Sequence, residues 1–450
     1  MPRPKSSARS LPVLARRAAV LGAPLLLAGC GLMDSWFGEE KAPVPGKRLP
    51  VLTAQNSLAV DKDAPPVSVS AVTADAGWPQ PGRTPTHQGG NLALAANPTR
   101  AWKADIGAGT GYRQSITATP VVAGGHVFTM DADAVVHCFA VQDGSRIWRA
   151  STRAEDDRST NVGGGIAVAD ETVYASSGRG DIVAFHAATG KRLWAGRLPS
   201  AARSGPTVAE DRLFVSLLGD AVVALARKDG KQIWLHQAGR VDLAALGAPA
   251  PAYAEGVLVT GFGSGDLLAL RGISGIVLWG DSLASAGGRG AIAQLSAIRG
   301  MPAIHEGRAF AVSLGNTAVA DDLRSGRRLW SRDITSAESP WVAGNYVFFV
   351  TQDARVAAVS ADAGRVAWIT QLDAYTDPDK MKHPILWRGA VMAAGRLLVA
   401  GEHGKAAWLD PVNGKVVGEM ELENGAAVTP VVAGGTLYVV TVDGSITPYR

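Results

Sequence analysis

Cysteine, helical periodicity and an excess of either charge are what this 450-residue sequence lacks. Cys30 and Cys138 are its only cysteines, which excludes the disulfide framework typical of small secreted domains. No long segment repeats its apolar residues with a period of 3.6, so we expect little α-helix. Glycine and proline are abundant instead, with 53 and 25 residues, which predicts a chain that turns often.

The formal net charge of +4 comes from the first 29 residues. That stretch has no acidic residue and five basic ones, which are Arg3, Lys5, Arg9, Arg16 and Arg17. The rest of the chain holds 39 Lys and Arg against 40 Asp and Glu. Proteins that bind nucleic acid present a positive surface, so this balance argues against nucleic acid as a partner.

A signal peptide is the best interpretation of the N-terminus. The apolar run 18–29 follows the basic start, and its twelve residues are too few to span a bilayer as a helix. It ends in Leu27-Ala28-Gly29-Cys30, which resembles the lipobox of bacterial lipoproteins. The resemblance implies cleavage after residue 29 and lipidation of Cys30 with two or three palmitate-type chains, enough for stable anchoring. The alternative is an ordinary signal peptide with an incidental cysteine. Gly31, which is not an aspartate, favours the outer membrane.

Residues 30–76 show no sustained period and contain the proline-rich stretches 41–47 and 62–66. This composition predicts a lipidated N-terminus and a flexible tether. The folded domain is placed at residues 77–450. Its first segments, 78–82 and 87–91, are expected to pack on the outside of the fold.

The folded part is built from a repeat. Each unit has a proline and an apolar strand, two further strands, a glycine turn, and a basic residue before tryptophan, as in residues 165–194. Four short strands joined by glycine turns predict a four-stranded antiparallel sheet. Such sheets bury both faces when they pack radially, as in a β-propeller. We expect the recurring tryptophans to dock between neighbouring blades, each with a partner for its indole N–H. They are Trp102, Trp148, Trp194, Trp234, Trp279, Trp330 and Trp368.

Counting the units predicts how the ring closes. Six units end in tryptophan, and a seventh, 389–418, has Gly418 in that place. An eighth starts at Thr429 and reaches the C-terminus one strand short. The missing strand is expected at 100–103, because Trp102 stands 46 residues before Trp148, on the repeat spacing. The predicted fold is therefore all-β: an eight-bladed propeller in which the N-terminal strand completes the last blade and removes an exposed edge.

The repeat resembles that of quinoprotein alcohol dehydrogenases, which use pyrroloquinoline quinone (PQQ). That resemblance makes a PQQ-dependent oxidoreductase one alternative function. The resemblance also implies a pair of adjacent cysteines and a calcium site, and this chain has no adjacent cysteines. Cys138 lies in an apolar strand and is expected to be a buried, inert thiol. No catalytic residue, metal site or cofactor is predicted, because the eight histidines lack metal-ligand spacing.

The combination of lipobox, proline-rich tether and eight PQQ-like units resembles the BamB family of outer-membrane protein assembly lipoproteins. Stretches that carry the resemblance include 45–52, 295–302, 322–330, 339–344 and 375–379. It implies a non-catalytic scaffold, lipid-anchored at the periplasmic face of the outer membrane. It also implies two partners, the POTRA domains of the barrel-forming subunit BamA and unfolded outer-membrane proteins. A third possibility for the function is a propeller lipoprotein with a different envelope partner.

The family resemblance places the BamA contact in two loops, 241–249 and 292–299. Leu243, Leu246 and Leu295 are apolar where a connecting loop should be polar, as expected of an interface. The alternative is that these leucines fold back onto the ring. Arg299 is the fourth predicted contact residue, although the enteric pattern has acidic residues in that loop.

Overall fold

The computed structural model describes residues 57–74, 77–112, 114–154, 157–239, 248–284 and 296–450. Within these ranges the chain forms 34 strands and no α-helix. The described part of the chain therefore offers no helix that is long and apolar enough to cross a membrane. Residues 55–450 form one unit by their contacts.

Eight four-stranded antiparallel sheets make up this unit, and we call the strands of each blade A to D. Blade one has β2 Val121–Ala123, β3 His126–Met130, β4 Val135–Ala140 and β5 Arg146–Ser151. Blade two has β6 Gly164–Ala169, β7 Thr172–Ser177, β8 Asp181–His186 and β9 Arg192–Arg197. Blade three has β10 Thr207–Ala209, β11 Arg212–Leu217, β12 Ala221–Ala226 and β13 Gln232–Gln237. Blade four has β14 Ala252–Ala254, β15 Val257–Gly261, β16 Asp266–Arg271 and β17 Val277–Ser282.

The second half of the ring repeats the pattern. Blade five has β18 Ala303–His305, β19 Arg308–Val312, β20 Ala318–Asp322 and β21 Arg328–Arg332. Blade six has β22 Trp341–Ala343, β23 Tyr346–Val350, β24 Arg355–Ser360 and β25 Val366–Gln371. A hairpin of β26 Tyr375–Asp377 and β27 Lys382–Pro384 precedes blade seven, which has β28 Trp387–Ala393, β29 Arg396–Gly401, β30 Lys405–Leu409 and β31 Val416–Glu421. Blade eight has β32 Val431–Ala433, β33 Thr436–Thr441, β34 Ser445–Tyr449 and, as strand D, β1 Ala104–Asp105.

The A strands surround the channel and the D strands form the rim. Consecutive A strands contact one another from blade one to blade eight. A and B strands are almost wholly buried, whereas D strands such as β13 alternate between exposed and buried residues. This is the burial expected when sheets pack face to face around an axis. The predicted eight-bladed propeller is confirmed.

Ring closure also follows the prediction. Strand β1 pairs antiparallel with β34, and Arg100 forms a bridge with Tyr449. At the very end of the chain, the Thr99 and Arg450 backbones donate to each other at 2.6 and 2.8 Å. The last blade therefore consists of three C-terminal strands and one N-terminal strand.

Each repeat tryptophan reaches the C–D turn of the next blade. Trp102 bonds to Val141 (2.9 Å), Trp148 to Ala187 (2.7 Å), Trp194 to Arg227 (3.2 Å), Trp234 to Gly272 (2.9 Å), Trp279 to Leu323 (2.8 Å), Trp330 to Ala361 (3.1 Å) and Trp368 to Pro411 (2.8 Å), in every case from indole Nε1 to a backbone oxygen. The turn glycine must be glycine: Gly190 has φ of +69°, and a Cβ there would lie 2.6 Å from the Trp148 ring.

A β-bulge lies beside six of the seven repeat tryptophans. The C–D register shifts by one residue in each of the first seven blades, beside the tryptophan in blades one to six and beside Gly418 in blade seven. In blade three, for example, Ala224 pairs with Trp234 and Leu225 with Gln232, so Ile233 is the extra residue and is exposed. A bulge re-aims the side chain beside it, here toward the next blade.

The seventh junction lacks a tryptophan for a topological reason. A tryptophan at position 418 of blade seven would dock on the C–D turn of blade eight. Blade eight has no such turn, because its strands C and D, β34 and β1, come from opposite ends of the chain. Gly418 therefore stands where an indole would have no docking partner.

Residues 77–94, which we call the inner segment, contradict the prediction that they pack on the outside of the fold. They follow the channel-facing A strands around the ring and contact the backbone of each blade. The contacts are Trp78 with Val122, Pro79 with Val168, Gln80 with Val208, Pro85 with Tyr253, Thr86 with Ile304, Gly90 with Val342, Leu92 with Met392 and Leu94 with Gly435.

Seven of these eight contacts fall on the A strand itself, and the one with Gly435 falls on the turn after it. The free edge of a strand presents unpaired N–H and C=O groups, and the inner segment satisfies them one blade at a time. Its side chains pack as well: Trp78 and Leu92 are buried, and Trp78 stacks on Trp341 at a centroid distance of 6.1 Å.

Residues 57–74, the described part of the expected tether, lie against blades five and six. Asp61 accepts hydrogen bonds from Arg332 at 2.7 Å and from the Val366 backbone at 2.8 Å. Further along, the Ser68 backbone donates to Asn345 Oδ1 at 2.9 Å. This stretch therefore reaches the ring on the side of the A–B and C–D turns. Residues 57–74 are therefore bound to the ring, whereas the sequence predicts a flexible tether for them.

Candidate functional site at the mouth of the channel

A cavity of about 470 Å³ lies at the end of the channel where each D–A linker enters its A strand. Pro81 of the inner segment is among its lining residues, so that segment forms the floor. The tight A–B and C–D turns lie at the opposite end of the ring, because antiparallel strands place alternate connections at opposite ends. The channel is therefore a cup that opens on the linker side.

One position of the repeat, three residues before its proline, lines this cup. In six blades the repeat begins with a proline before strand A, and the third residue before that proline lines the cavity. These six residues are Thr117, Arg203, Ala248, Arg299, Ala337 and Ala427. Two of the six are arginines, so the linkers bring positive charge to the mouth.

Glu338 is the single carboxylate among the residues that line the cup. Its Oε1 accepts from Arg388 Nη1 at 3.2 Å, and its Oε2 accepts from the Gly389 backbone and from Thr429 Oγ1, both at 3.1 Å. The linker into blade six is thereby tied to blades seven and eight. Glu338 is fully engaged within the protein.

Arg388, on β28, is balanced by two carboxylates. Besides Glu338 it donates through Nη2 to Glu402 Oε1 at 2.7 Å. Burial lowers the pKa of the Arg388 guanidinium, but the charges of Glu338 and Glu402 outweigh burial and raise the pKa above its ordinary value. Arg388, Glu338 and Glu402 form a structural ion-pair network at one side of the cup.

Arg203 and Arg299 have no such balance. Neither forms an ion pair with any carboxylate in the described residues. Arg203 Nη1 donates to the Val162 carbonyl at 2.7 Å, while its buried Nε has no hydrogen-bond partner there. Burial lowers the pKa of both guanidinium groups, and the nearby Arg388 lowers that of Arg299 further, against Glu338, which raises it. The cup thus holds two arginines without a direct ion pair among the described residues, and Arg203 is the one with no carboxylate acting on it.

The described ranges hold no cluster of metal-ligating side chains, and their cysteine is buried. No group of three or more His, Cys, Asp or Glu side chains there could hold a metal ion. Cys138 is fully buried as expected, and burial raises the pKa of its thiol to about 12. The adjacent cysteine pair of quinoprotein dehydrogenases does not fit this chain, whose two cysteines are far apart in sequence.

The repeat region matches one protein-family model. The model is described as outer membrane protein assembly factor BamB, and it matches residues 132–370 and 376–450. The chain belongs to the BamB family.

Curated BamB relatives cover most of the chain. Those of Escherichia coli K12 and Shigella dysenteriae are each 28% identical over 354 residues, which is 78% of this chain and 88% of theirs. BamB of Bordetella pertussis is 25% identical over 332 residues, 73% of this chain and 81% of its own. All three are named outer membrane protein assembly factors.

Solved structures support the fold. BamB from Moraxella catarrhalis superposes with a TM-score of 0.67 at 18% identity, covering 78% of this chain and 99% of that one. A europium-containing methanol dehydrogenase superposes at 0.64 with 14% identity, covering 81% of this chain and 89% of that one. Since a BamB protein and a dehydrogenase match about equally well, the propeller itself does not distinguish scaffold from enzyme.

The structure locates part of the predicted contact site. Arg299 is exposed at the mouth of the cup, in the linker into blade five. Leu243, Leu246 and Leu295 lie outside the described residues, and so does Cys30. Sequence reasoning missed Arg203, Glu338 and Arg388. The position three residues before the repeat proline is a signal that finds Arg203 and Arg299, but not Arg388, whose blade has no such proline.

Proposed function

We propose that this chain is a non-catalytic scaffold of the outer-membrane protein assembly machinery. It is anchored through lipid on Cys30 at the periplasmic face of the outer membrane. It binds the POTRA domains of a BamA-type subunit and assists the insertion of outer-membrane proteins. The observation that carries the proposal is the BamB family match over most of the propeller. The names of the curated relatives give the same assembly role.

The contact surface is assigned to the linkers into blades four and five, at Leu243, Leu246, Leu295 and Arg299. The ends of both linkers, Ala248–Ala250 and Arg299, line the open mouth of the cup. An accessible mouth with apolar residues beside charged ones is the composition of many protein interfaces. The opposite end of the channel is occupied by the inner segment.

Two experiments test the scaffold proposal. The first is affinity purification of the lipidated protein from solubilised outer membranes, which should retain a BamA-type barrel protein. The second compares binding to isolated POTRA domains for wild type and for the double variant Leu243→Asp, Leu246→Asp. Truncating or charging a central interface residue typically weakens binding by about 2 kcal/mol or more, a loss of at least about thirtyfold in affinity.

The matched control is Leu193→Asp with Leu278→Asp. Both leucines are exposed on D strands, at 50% and 39%, and lie away from the linkers. The control should bind POTRA domains like wild type, and the test variant should keep the wild-type unfolding temperature. A test variant that unfolds several degrees earlier means that its leucines belong to the core, and equal binding by both double variants contradicts the assigned surface.

The dehydrogenase alternative predicts a different outcome. Addition of PQQ and calcium to the purified chain would produce a bound quinone spectrum and dye reduction with an alcohol. We expect neither, because the chain lacks the adjacent cysteines of that family and its curated relatives are assembly factors.

A further inference from the structure

The cup at the channel mouth has the composition of a small-ligand site. Its volume of about 470 Å³ is in the range of pockets that hold small organic molecules. Pro81, Ile116, Ile166 and Val428 contribute apolar surface, and Gly163, Gly165 and Gly205 expose backbone at its wall. An apolar wall with a few convergent polar groups is typical of binding sites for small molecules.

The lining of the cup carries an excess of positive charge. Its lining holds three arginines and one carboxylate, and that carboxylate, Glu338, already accepts three hydrogen bonds. Arg203 and Arg299 come from linkers two blades apart, and both line the same cavity. A guanidinium presents a planar set of donors that suits a carboxylate or a phosphate.

Partial burial makes the absence of a counter-charge costly for Arg203, whereas Arg299 is exposed at the mouth of the cup. Water is displaced around Arg203, whose Nε is buried without an acceptor among the described atoms. A desolvated cation without a counter-charge is unfavourable, and an anion bound in the cup supplies the missing charge interaction. The site therefore favours an anion over a neutral molecule of the same shape.

We propose that the cup binds a small ligand that carries an oxyanion, a carboxylate or a phosphate monoester, on a short apolar body. The oxyanion lies against Arg203 and Arg299, and the apolar body lies on the wall near Ile116, Ile166 and Pro81. This inference rests on the cup alone and is independent of the proposed scaffold role.

Hexanoate, hexyl phosphate, inorganic phosphate and hexan-1-ol are the probes that test it by isothermal titration calorimetry. With the full chain, both hexyl anions should bind at one site, and binding should weaken as sodium chloride is added. Hexan-1-ol and inorganic phosphate should each bind roughly tenfold more weakly, because each lacks one half of the recognition. If hexan-1-ol binds as tightly as the hexyl anions, the arginines do not recognise the ligand. If inorganic phosphate binds as tightly as hexyl phosphate, the apolar wall does not contribute.

Substitutions locate the site. Arg203→Gln and Arg299→Gln should each weaken hexanoate binding roughly tenfold, and Arg203→Lys should retain most of it. Arg324→Gln is the matched control, because Arg324 is an exposed arginine in the C–D turn of blade five, at the opposite end of the ring. The unfolding temperature of each variant checks its folding. Loss of binding in Arg324→Gln, or unchanged binding in Arg203→Gln, overturns the proposal.

The two proposals fail separately. Arg203 is not assigned to the POTRA contact, so Arg203→Gln should lose hexanoate and keep POTRA binding. If POTRA domains do not bind at all while hexanoate still depends on Arg203, the scaffold role is wrong and the anion site stands. If POTRA binding is intact and no anion binds, the anion site is wrong and the scaffold role stands.

Discussion

Asp321 is the least satisfied carboxyl group at the interface of blades four and five. It lies on β20 and is fully buried, and no N–H or hydroxyl group of the described residues donates a hydrogen bond to its carboxylate oxygens, whose neighbour is the Asp281 carboxyl. Burial raises its pKa to about 7, the neighbouring Asp281 raises it as well, and Arg328 lowers it. Arg328 itself donates to Asp281 Oδ1 at 2.7 Å, so its charge is directed to the other carboxylate.

The raised pKa predicts a pH-dependent stability. Because the folded chain holds this proton more tightly than the unfolded chain, stability falls as pH rises from about 4, the unfolded value, through about 7. Asp321→Asn removes the buried charge and should raise the free energy of unfolding at pH 8 by about 1–3 kcal/mol, with a smaller gain at pH 5. Urea denaturation at both pH values measures this.

Asp322→Asn serves as the neighbouring control for that experiment. Hydrogen bonds from Ser325 lower the pKa of Asp322, so its charge is favoured in the folded state. The Asn variant should gain nothing at pH 8. A gain of equal size in both variants would show that the Asp321 carboxylate is not the cause.

At the scale of the blade, tryptophan docking is the repeated interaction that joins neighbours. Each of the seven indoles makes the same hydrogen bond to the next C–D turn, over distances of 2.7–3.2 Å. The sequence predicts this arrangement because tryptophan and glycine recur at a fixed offset. It does not predict the bulge that aims the indole, since Ile233 before Trp234 looks like an ordinary strand residue.

Replacing one docking tryptophan by phenylalanine removes the indole N–H together with part of the ring volume. In Trp279→Phe the Leu323 carbonyl loses the indole donor and a small cavity is left, so we expect a loss of about 1–3 kcal/mol in the free energy of unfolding. Leu278→Ala, one residue earlier and exposed, should change stability by less than about 0.5 kcal/mol. Guanidinium unfolding measures the free energy of unfolding of both variants. Equal losses of this free energy in Trp279→Phe and Leu278→Ala would contradict the role given to the docked indole.

At the scale of the whole molecule, the ring was predictable and its interior was not. Blade number and closure by the N-terminal strand follow from repeat spacing, whereas the bridge between Arg100 and Tyr449 and the strand Ala104–Asp105 come from the structure. The inner segment has no repeat, and most of its contacts are made by backbone atoms, which leave no pattern of residue types. The cup was missed because most of its lining comes from the D–A linkers and from Pro81, where the alternation of strand residues is absent and only the position three residues before the repeat proline recurs.

Removing the N-terminal segments tests their contribution to the ring. A chain that starts at residue 98 loses the contacts along all eight blades, and we expect its unfolding temperature to fall by several degrees. A synthetic peptide of residues 77–97 should restore part of the loss, and a scrambled peptide should not. An unchanged unfolding temperature for the shortened chain would mean that the inner segment adds no stability.

Closure of the ring by strands from the two ends of the propeller sequence sets the order of events during synthesis. Strand β1 is made first, but its neighbour β34 follows all the other blades. The final blade therefore cannot assemble until every other blade has been made. A chain interrupted before β34 leaves β1 and β33 of the last blade unpaired, and such open strand edges are targets for proteases.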